Sequence, residues 1–553
     1  MKNKTIIFFL FGVIFWAILC TKGRNIFDYN IHIFDPYISG IAREGQDDMG
    51  REYEGFQENG VDYINYYSQA TKAIGKILDY KATGEKILLK EATEIVDNLY
   101  ATFERYGRFP RPVYKNFKYG WVSSMDAPTV MVASEMLYEV TNKEQYKVFV
   151  KSLSKYVTKS NMSGGYNLYS DGIEEKTFVW PMEYITQETT YEDAQWVLNG
   201  SLVGYLGVQI IADLYQDEDL LLYLENVRDT YRNMFEEFHY AKYPWSFYML
   251  NPKTVIPPHY IIFEKQLLES MYEITPDPIF IEEIRYRETA LKSVLKPQFQ
   301  KMNDKILFIM RRACAPHPYL LDVYGTKIEF QDQDNNIINT YENSLSGTCG
   351  EDTDKFKKGE FLTGVVNANA MTYTVYAIKG GIEEELFSGT IEFNNNINDP
   401  VVDYDIDISY DIHQIDSSSF EISSNLSDKG EARITYELLP GEFKHSLNTY
   451  WGIEINNLSS HSSNMGAILY DSEGTGVTRY YTKLLPGKNL VLLSEIGFSE
   501  IDRLKDIKKI SLRIFTAENS SNYLLEIGPL YRFTDMFNLK EYMYSNNIFI
   551  SPQ

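Results

Sequence analysis

The segment from Arg105 to Tyr119 concentrates side chains that could hold an anionic sugar polymer. It contains five aromatic residues, no acidic residue and five cations: Arg105, Arg108, Arg111, Lys115 and Lys118. Arginine and lysine pair with carboxylates, and aromatic rings stack on the faces of sugars. Because the whole chain has a formal net charge of -24, this local reversal of sign favours a binding function. The alternative is a solvated loop whose cations pair with neighbouring acids.

Three further segments bring proton-transferring side chains together with tryptophan and proline. Glu183 and Tyr184 end the run TrpProMetGluTyr, and Tyr248 ends TrpSerPheTyr. His259 and Tyr260 end ProProHisTyr. Carboxylate, phenol and imidazole groups can act as general acids or bases when their surroundings adjust their pKa values. Each segment alone is a weak signal. The alternative is that Tyr184 and Tyr248 are core residues with satisfied hydroxyl groups, since half-buried tyrosines are common.

The composition excludes several classes of protein. A chain of 553 residues has room for several domains, and 3 Cys exclude a small disulfide-stapled fold. The hydrophobic share of 44% and the aromatic share of 15% exclude a wholly disordered chain. The net negative charge argues against nucleic-acid binding, which requires a basic face. Most of the 44 Tyr are expected to fill half-buried packing positions.

Residues 1 to 24 are typical of a targeting segment. Lys2 and Lys4 precede an apolar run from Ile6 to Cys20, and Lys22 and Arg24 follow it. The run is short for a membrane span, which needs about 20 residues, but it suits a signal peptide or a short uncleaved anchor. We therefore expect an exported protein, extracellular or at the cell surface, that the N-terminal segment could anchor to a membrane.

Residues 61 to 300 have the spacing of paired helices. They follow a segment rich in Gly, Asp and Arg, residues 25 to 60, that is predicted to be a linker or a wrapping arm. Successive turns lie about 60 to 75 residues apart. The turns within the helix pairs contain Gly84, Asn142, Asp217 and Pro276. This repeat predicts a closed α/α barrel with its long loops at one mouth, and the alternative is an open helical solenoid.

From about residue 304 the hydrophobic period changes to two. Short alternating segments over residues 304 to 398 predict an Ig-like β-sandwich. A longer series over residues 399 to 540 predicts a jelly roll that could bind carbohydrate. The expected fold class is therefore multi-domain, with an α/α barrel followed by two all-β sandwich domains. The candidate sugar-stacking residues of the last domain are Trp451, Tyr470, Tyr480 and Tyr481.

Three aspartates, Asp403, Asp405 and Asp407, alternate along one predicted strand of the last domain. A strand presents alternate residues on one face, where these acids could hold Ca²⁺ together with backbone carbonyls. A solvated, charged edge is the favoured interpretation. No cysteine or histidine spacing matches a zinc or haem site, and Cys314 and Cys349 could pair or remain free thiols.

Taken in order, these segments resemble the C-terminal domain of D-glucuronyl C5-epimerases, which convert glucuronate to iduronate in heparosan-type polymers. The resemblance extends over residues 60 to 295, and the α/α barrel of that family agrees with the helical repeat. The matching motifs are GlyTrpValSerSerMet (120 to 125), GluTyr (183 to 184), ValLeuAsnGly (197 to 200), Tyr248, the His259 and Tyr260 region before Gln266-Leu267, and AspProIlePhe (277 to 280).

The resemblance implies a catalytic role for Glu183, Tyr184 and Tyr248. A further family tyrosine aligns with His259 without a gap, or with Tyr260 after a shift of one residue, and Tyr260 is favoured. Inverting C5 of a uronate requires two acid/base groups on opposite faces of the sugar ring. Charge then develops on the substrate carboxylate, so fixed donors or cations are needed there.

The same resemblance predicts an anionic, uronate-containing polysaccharide as the partner and requires no cofactor. Trp121 and Asn199 lie in matching motifs and are predicted to contact the substrate.

One departure from the family concerns the substrate carboxylate. The family has an arginine three residues after the tyrosine that matches Tyr248, and here that position is Asn251. Lys253, Arg108 or Arg111 would have to replace it. The expected function is a polysaccharide uronate C5-epimerase, an isomerase. The alternatives are a polysaccharide lyase, which expels the C4 substituent after the same proton abstraction, and a non-catalytic surface glycan-binding protein, which Asn251 favours.

Overall fold

A computed structural model provides the fold of most of the chain. The described residues are 24–34, 42–46, 52–58, 61–111, 120–170, 178–240, 244–251, 253–255, 258–302, 305–311, 325–343, 361–379, 382–393, 401–402, 404–409, 412–414, 419–422, 431–438, 450–458, 463–484, 487–493, 503–504, 506–515 and 523–533.

Four antiparallel helix pairs make up the first half of the described chain, where the sequence repeat predicts them. The helices are α1 (Tyr66–Thr83), α2 (Lys86–Tyr106), α3 (Asp126–Thr141), α4 (Glu144–Val157), α5 (Leu198–Tyr215), α6 (Glu218–Met234), α7 (Pro258–Ile274) and α8 (Pro278–Leu295). All of α3 except its last turn and nearly all of α5 are buried, and a helix that is covered on all sides must lie inside a layer of other elements. Helices α1, α3, α5 and α7 pack on one another in that order, and α2, α4, α6 and α8 each cover the preceding inner helix.

The ends of the inner helices explain the tight connections within each pair. Gly84, Asn142 and Gln216 follow α1, α3 and α5 in the left-handed conformation, with φ of 76°, 55° and 49°. A left-handed residue ends a helix and turns the chain back on itself. At the last turn the side chain of Asp277 accepts a hydrogen bond from the backbone N–H of Ile279, at 3.1 Å, and caps α8.

The N-terminal arm, residues 24–34, crosses the C-terminal ends of the inner helices. Arg24 pairs with Asp213 near the end of α5, at 2.5 Å, and the hydroxyl of Tyr29 donates to the same carboxylate, at 2.6 Å. The side-chain amide of Asn25 donates to Glu139 near the end of α3, at 2.8 Å. The arm also buries apolar residues in the core of the helical domain: Ile26, Ile31, Ile33 and Phe34.

Short strands flank and interrupt the helices. In the expected linker or arm lie β1 (Ala42–Gln46) and β2 (Glu52–Glu58), which form an antiparallel sheet with β3 (Val61–Ile64), at the start of the region predicted to be helical. These strands were not predicted, because Gly and acidic residues have low strand propensity, which cross-strand pairing can override. Two hairpin-like pairs follow in the loops of the helical domain: β4 (Asn167–Ser170) with β5 (Phe178–Pro181), and β6 (Phe247–Leu250) with β7 (Lys253–Val255).

The first β region contains two antiparallel sheets. One has the order β12-β9-β8 and the other β11-β10-β13-β14. The strands are β8 (Gln298–Met302), β9 (Lys305–Arg311), β10 (Gly325–Gln331), β11 (Ile337–Asn343), β12 (Phe361–Asn367), β13 (Thr372–Lys379) and β14 (Ile382–Thr390). Aromatic rings of the two sheets pack together, as Phe308 does on Phe330, with centroids 5.0 Å apart.

The second β region is also antiparallel. One sheet has the order β17-β18-β25-β20-β23, with β15 paired to β25, and the other has the order β16-β19-β24-β21-β22. The strands are β15 (Val401–Val402), β16 (Tyr404–Ser409), β17 (Ile412–Gln414), β18 (Ser419–Ile422), β19 (Glu431–Leu438), β20 (Tyr450–Asn457), β21 (Ser463–Tyr470), β22 (Gly476–Leu484), β23 (Gly487–Leu493), β24 (Lys509–Phe515) and β25 (Tyr523–Phe533). Alternate residues Ile510, Leu512 and Ile514 are buried, so one face of that sheet lies against a core.

The chain is therefore a helical domain followed by β domains. The helical domain contacts the first β region through Lys265 of α7, whose ammonium lies 2.9 Å from Glu384 of β14. Within the described ranges, no helix has the length and apolar character needed to cross a membrane. Apart from Arg24, the expected targeting segment lies outside those ranges.

Candidate active site

The backbone around Glu183 and Tyr184 is held between two neighbouring segments. Val122 and Ile185 exchange backbone hydrogen bonds of 3.0 and 3.3 Å, and the N–H of Ser124 donates to the carbonyl of Met182, at 2.8 Å. Residues 182–185 therefore lie antiparallel to residues 122–124. This places the GluTyr motif against the GlyTrpValSerSerMet motif, 60 residues earlier in the chain.

The side chain of Glu183 lies on Gly200, in the first turn of α5. Glu183 is buried, and a Cβ added at Gly200 would come within 2.7 Å of the Cβ of Glu183. Real Cβ atoms essentially never come this close to another heavy atom, so glycine is required for the approach. The hydroxyl of Ser124 donates to the carbonyl of Gly200, at 2.9 Å, and fixes the same turn. The glycine of ValLeuAsnGly is thus explained by the glutamate that lies on it.

The position of Glu183 at the start of α5 is favourable for an anion. The first N–H groups of a helix have no partners within the helix, and its N-terminal end carries partial positive charge. Val197, which precedes α5, forms no side-chain capping bond. Asn199 in this turn is buried, and its Oδ1 has no hydrogen-bond partner among the described residues.

The ring of Tyr184 is the first of three stacked groups, followed by the ring of Trp121 and the guanidinium of Arg111. The Tyr184 ring stacks on Trp121, with centroids 5.4 Å apart, and the guanidinium of Arg111 lies 5.0 Å from the Trp121 ring. Arg111 is itself buried, and its Nε donates to Asp126 at 2.9 Å. Burial raises the pKa of Asp126 although Arg111 opposes the shift. Arg111 is therefore buried and paired with Asp126 beside Trp121, whereas the sequence predicted that it would contact a substrate.

Tyr67 is a site residue that the sequence analysis missed. Its backbone N–H donates to Asp126, at 3.0 Å, and its side chain is buried. Burial, and then the negative charge of Glu183, raise the pKa of the Tyr67 hydroxyl well above its usual range. The hydroxyl therefore stays neutral, within electrostatic reach of Glu183. In sequence Tyr67 is one of several tyrosines at helical spacing, and nothing distinguishes it, whereas Asp126 is a visible acid at the start of an apolar helix.

Tyr248 and Tyr260 form a second pair of aromatic side chains. Both are half-buried, and their ring centroids are 5.4 Å apart at an angle of 40°. Tyr260 lies in the first turn of α7, and of the adjacent His259 the structure describes only the backbone. The ring contact is consistent with the shifted alignment, in which Tyr260 is the residue of interest.

The two groups of side chains converge on one end of α5. Met249 pairs with Val197, and the N–H of Leu250 donates to the carbonyl of Trp196, at 3.0 Å. The strand that carries Tyr248 therefore lies beside the residues that lead into α5, whose first turn supports Glu183. Segments far apart in sequence thus meet at the N-terminal end of this inner helix.

Residues 97–289 match the family model described as the C-terminus of D-glucuronyl C5-epimerase. This part of the chain belongs to the D-glucuronyl C5-epimerase family. The match confirms the resemblance drawn from the motifs and contains Glu183, Tyr184, Tyr248 and Tyr260. It covers about a third of the chain, and the β domains lie outside it. No curated protein matches the chain.

Several solved structures match part of the chain. They include a GH76 α-mannanase from Bacteroides thetaiotaomicron (12% identity, TM-score 0.31), a cellobiose 2-epimerase from Bacillus thermoamylovorans (13%, 0.32) and a D-mannose isomerase (10%, 0.32). Each match covers 45% of this chain and 64%, 66% and 67% of the respective structures, whereas only 22% of an agarase is covered. At TM-scores this low, nothing about this chain follows from the likeness.

Cations lie at two places in the C5-epimerase domain. Arg108 is half-buried beside Gly120, next to Trp121, and Lys253 lies 5.1 Å from the ring of Phe247, next to Tyr248. Arg105 is exposed at the end of α2, over the ring of Tyr106. Lys115 and Lys118 lie outside the described residues.

Asn251, at the position of the family arginine, forms a hydrogen bond with the loop before α5. Its side-chain amide donates to the backbone carbonyl of Glu192, at 3.2 Å, and the residue is exposed. In this C5-epimerase domain the amide thus links the strand of Tyr248 to the loop before α5, and it brings no positive charge.

The candidate sites outside the C5-epimerase domain receive less support. Asp405 and Asp407 lie on β16, and Asp403 is outside the described residues, as are Cys314 and Cys349. In the part of the chain that the structure describes, no group of three potential ligands could hold a metal ion. Trp451 is buried, which corrects its assignment as a sugar-stacking surface, because a buried ring cannot meet a polymer.

Proposed function

We propose that this protein is a C5-epimerase of a uronate-containing polysaccharide. The observation that carries the proposal is the convergence of Glu183 and Tyr184 with Tyr248 and Tyr260 at the N-terminal end of α5, inside the family-matched segment. Epimerisation at C5 requires one group that removes a proton and another that returns a proton on the opposite face. Two groups of proton-transferring side chains on separate elements meet this requirement.

The roles follow from the surroundings of each group. Glu183 and Tyr184 serve one face of the sugar ring, and Tyr248 and Tyr260 serve the other. A neutral tyrosine can return a proton to a carbanion, whereas removal of the C5 proton requires a group in its basic form. As the proton leaves, negative charge grows on the substrate carboxylate, and Arg108 and Lys253 are the cations that we assign to it.

We also propose a domain architecture and a location outside the cytoplasm for this protein. The two-layered helical domain supports an α/α barrel whose mouth lies at the N-terminal ends of the inner helices. The paired sheets support an Ig-like sandwich and a jelly roll, the second holding polysaccharide. The targeting segment supports export to the cell surface or the medium. No cofactor enters this mechanism, since the proton transfers need only side chains.

The test is solvent exchange at C5. The protein lacking residues 1–23, which keeps the Arg24 contact of the arm, is incubated in D₂O with glucuronate-containing polymers. Deuterium at C5 is followed by NMR together with the ultraviolet absorbance of unsaturated products. Deuterium without absorbance supports epimerisation, and absorbance would assign the protein to the lyases. Tyr248→Phe and Tyr260→Phe should each abolish exchange, and full activity of both would refute the site assignment.

A glycan-binding protein without turnover is the second candidate, and Asn251 favours it. The family arginine at this position is replaced by an amide that is bonded to a backbone carbonyl. Without exchange in any uronan, but with retention on a uronan affinity column that is lost in Arg108→Ala and Lys253→Ala, this function would be supported instead. Asn251→Arg would then be expected to confer exchange.

A further inference from the structure

A buried ion cluster joins three elements behind the tyrosine pair. Arg287 of α8 is fully buried, and its Nε donates to Glu264 of α7, at 2.9 Å. Its Nη1 donates to Glu283, one turn earlier on α8, at 2.5 Å. The other oxygen of Glu283 lies 3.0 Å from Nε2 of His239. One guanidinium thus connects α7, α8 and the segment that leads into β6.

The first connection reaches Tyr260. Glu264 follows Tyr260 by four residues on α7, so the two side chains lie on the same face of the helix, one turn apart. A guanidinium that holds Glu264 in place therefore fixes the rotation of α7 about its axis. That rotation sets the direction in which Tyr260 points.

The second connection reaches Tyr248. His239 pairs through its backbone with Ser246, two residues before Tyr248, and its ring stacks on Tyr286 of α8, with centroids 3.6 Å apart. The hydroxyl of Tyr286 donates to the carbonyl of Trp245, at 2.5 Å. Helix α8 therefore holds the start of β6 at two adjacent points.

The cluster is a poor source of stability. Taking charges out of water costs about as much as their attraction returns, and apolar replacements of buried ion clusters are often neutral or stabilising. Two polar atoms of this cluster, Oε1 of Glu264 and Nη2 of Arg287, are buried and have no hydrogen-bond partner in the described part of the chain. What such a cluster supplies is a fixed geometry among the elements that it joins.

We propose that Arg287 is a positioning residue that sets the spacing of Tyr248 and Tyr260 by tying their two elements to α8. The proposal rests on the proposed function, in which this spacing decides how the two hydroxyls meet the sugar ring. Reacting groups that are misplaced by about 1 Å can lose about a hundredfold in rate. A residue that touches no substrate can therefore control the rate of proton transfer.

The variant that tests it replaces the whole cluster with apolar residues. Arg287→Met alone leaves two buried carboxylates without their guanidinium partner and is expected to unfold the domain. The triple variant Glu264→Leu, Glu283→Leu, Arg287→Met removes all three charges and is expected to fold. A matched control replaces another buried cation with two carboxylate partners, also on α7 but facing β14: Lys265→Met, Glu269→Leu, Glu384→Leu.

Two readouts separate positioning from stability. Fluorotyrosine placed at position 248 or 260 reports the surroundings of each ring by ¹⁹F NMR, and needs no substrate. The kinetics of C5 exchange report kcat and KM. In the triple variant both resonances should shift, and kcat should fall about tenfold or more with KM little changed. The control should leave both resonances and kcat unchanged.

His239→Phe provides a second test in which folding is not at risk, because His239 is partly exposed. It keeps the stacking on Tyr286 and removes the contact with Glu283, so the resonance of residue 248 should shift while that of residue 260 stays. Unshifted resonances in both variants, or shifted resonances with unchanged kcat, would overturn the proposal. If the wild-type protein exchanges no polymer, the proposed function fails, and the ¹⁹F spectra still decide whether Arg287 sets the spacing.

Discussion

Gly200 shows how strictly the site constrains single residues. It sits under the side chain of Glu183, and no residue with a Cβ leaves room for that carboxylate in its present position. Gly204 and Gly207, farther along α5, also have no room for a side chain. An added Cβ would come within 2.8 Å of the Ser124 carbonyl at Gly204 and within 2.7 Å of Pro128 at Gly207. The glycines of this helix are therefore packing requirements, and only the first of them faces a proposed catalytic group.

We expect Gly200→Ala to displace Glu183 and to reduce C5 exchange by about a hundredfold, with a loss of stability of about 1–3 kcal/mol from overpacking. The control is Gly84→Ala, at a residue with φ of 76° and no other atom within 4 Å of an added Cβ. It should cost about 1 kcal/mol through backbone strain and leave exchange unchanged. Exchange rates and urea unfolding measure both effects, and an active Gly200→Ala would contradict this view of Glu183.

Glu264 gives the stability a dependence on pH. Burial raises its pKa from the ordinary value of 4.5 to about 7, against the opposing charge of Arg287. The folded state therefore holds this proton more tightly than the unfolded chain does. The resulting stabilisation is complete below about pH 4.5 and is lost as the pH rises through about 7.

Glu264→Gln, which cannot titrate, should remove this contribution. Relative to the variant, the wild-type protein is expected to lose on the order of 2 kcal/mol of unfolding free energy between pH 4.5 and pH 8. Urea unfolding of both proteins across this range measures the difference. If the stabilities of the two proteins changed with pH in the same way, Glu264 would have to be ionised in the folded state across this pH range.

At the scale of elements, the helix pairs were predictable and their contacts were not. The turns at Gly84 and Asn142 are visible in sequence because glycine and asparagine tolerate the left-handed conformation. The pairing of Arg111 with Asp126 and the approach of Glu183 to Gly200 depend on packing between distant segments, which no local pattern records. The motifs supplied the candidate residues, and the structure shows that one of them, Arg111, is paired with Asp126.

The N-terminal arm, residues 24–34, contacts the inner helices, which its composition did not predict. In addition to its bonds to α3 and α5, the side-chain amide of Asn30 donates to Ser270 of α7, at 3.1 Å, and Lys81 of α1 lies 3.1 Å from the ring centroid of Phe27. The arm therefore touches the C-terminal ends of all four inner helices, at the opposite end of α5 from Glu183.

We expect Ile26→Ala to destabilise the helical domain by about 2–5 kcal/mol, since Ile26 is fully buried. Ile87→Ala is the matched control, because that residue is 54% exposed on α2 and its replacement should cost within about 0.5 kcal/mol. Urea unfolding compares the two variants. Equal costs would mean that the arm only rests on the domain. C5 exchange well below the unfolding temperature should be unchanged in both.

At the scale of the molecule, a net charge of -24 has to coexist with the anionic polymer that we propose as the partner. Among the described residues, the candidate cations do not form one surface: Arg111 is paired internally, Arg105 is exposed, and Arg108 and Lys253 lie on the two sides of the proposed site. For the proposed polymer, attraction by these charges and repulsion by the rest of the surface would confine binding to the site.

The helical domain and the first β region are joined by a contact between α7 and β14. Glu384 of β14 accepts hydrogen bonds from Lys265 and Gln266 of α7, and Lys265 is buried and also pairs with Glu269. Removing Glu384 leaves a buried ammonium with one partner instead of two. Because this contact stabilises both α7 and β14, we expect the two regions to unfold together in the wild-type protein.

Glu384→Ala should therefore cost about 1–3 kcal/mol and separate the unfolding of the two regions, so that calorimetry records a lower first transition followed by a second one. Glu385→Ala is the control, since the neighbouring side chain on the strand is exposed and points to the other face. C5 exchange should persist in both variants, because Lys265 faces β14 whereas Glu264, which adjoins Tyr260, faces α8. Loss of exchange in Glu384→Ala alone would mean that the β region helps to shape the site, and that the catalytic unit extends beyond the helical domain.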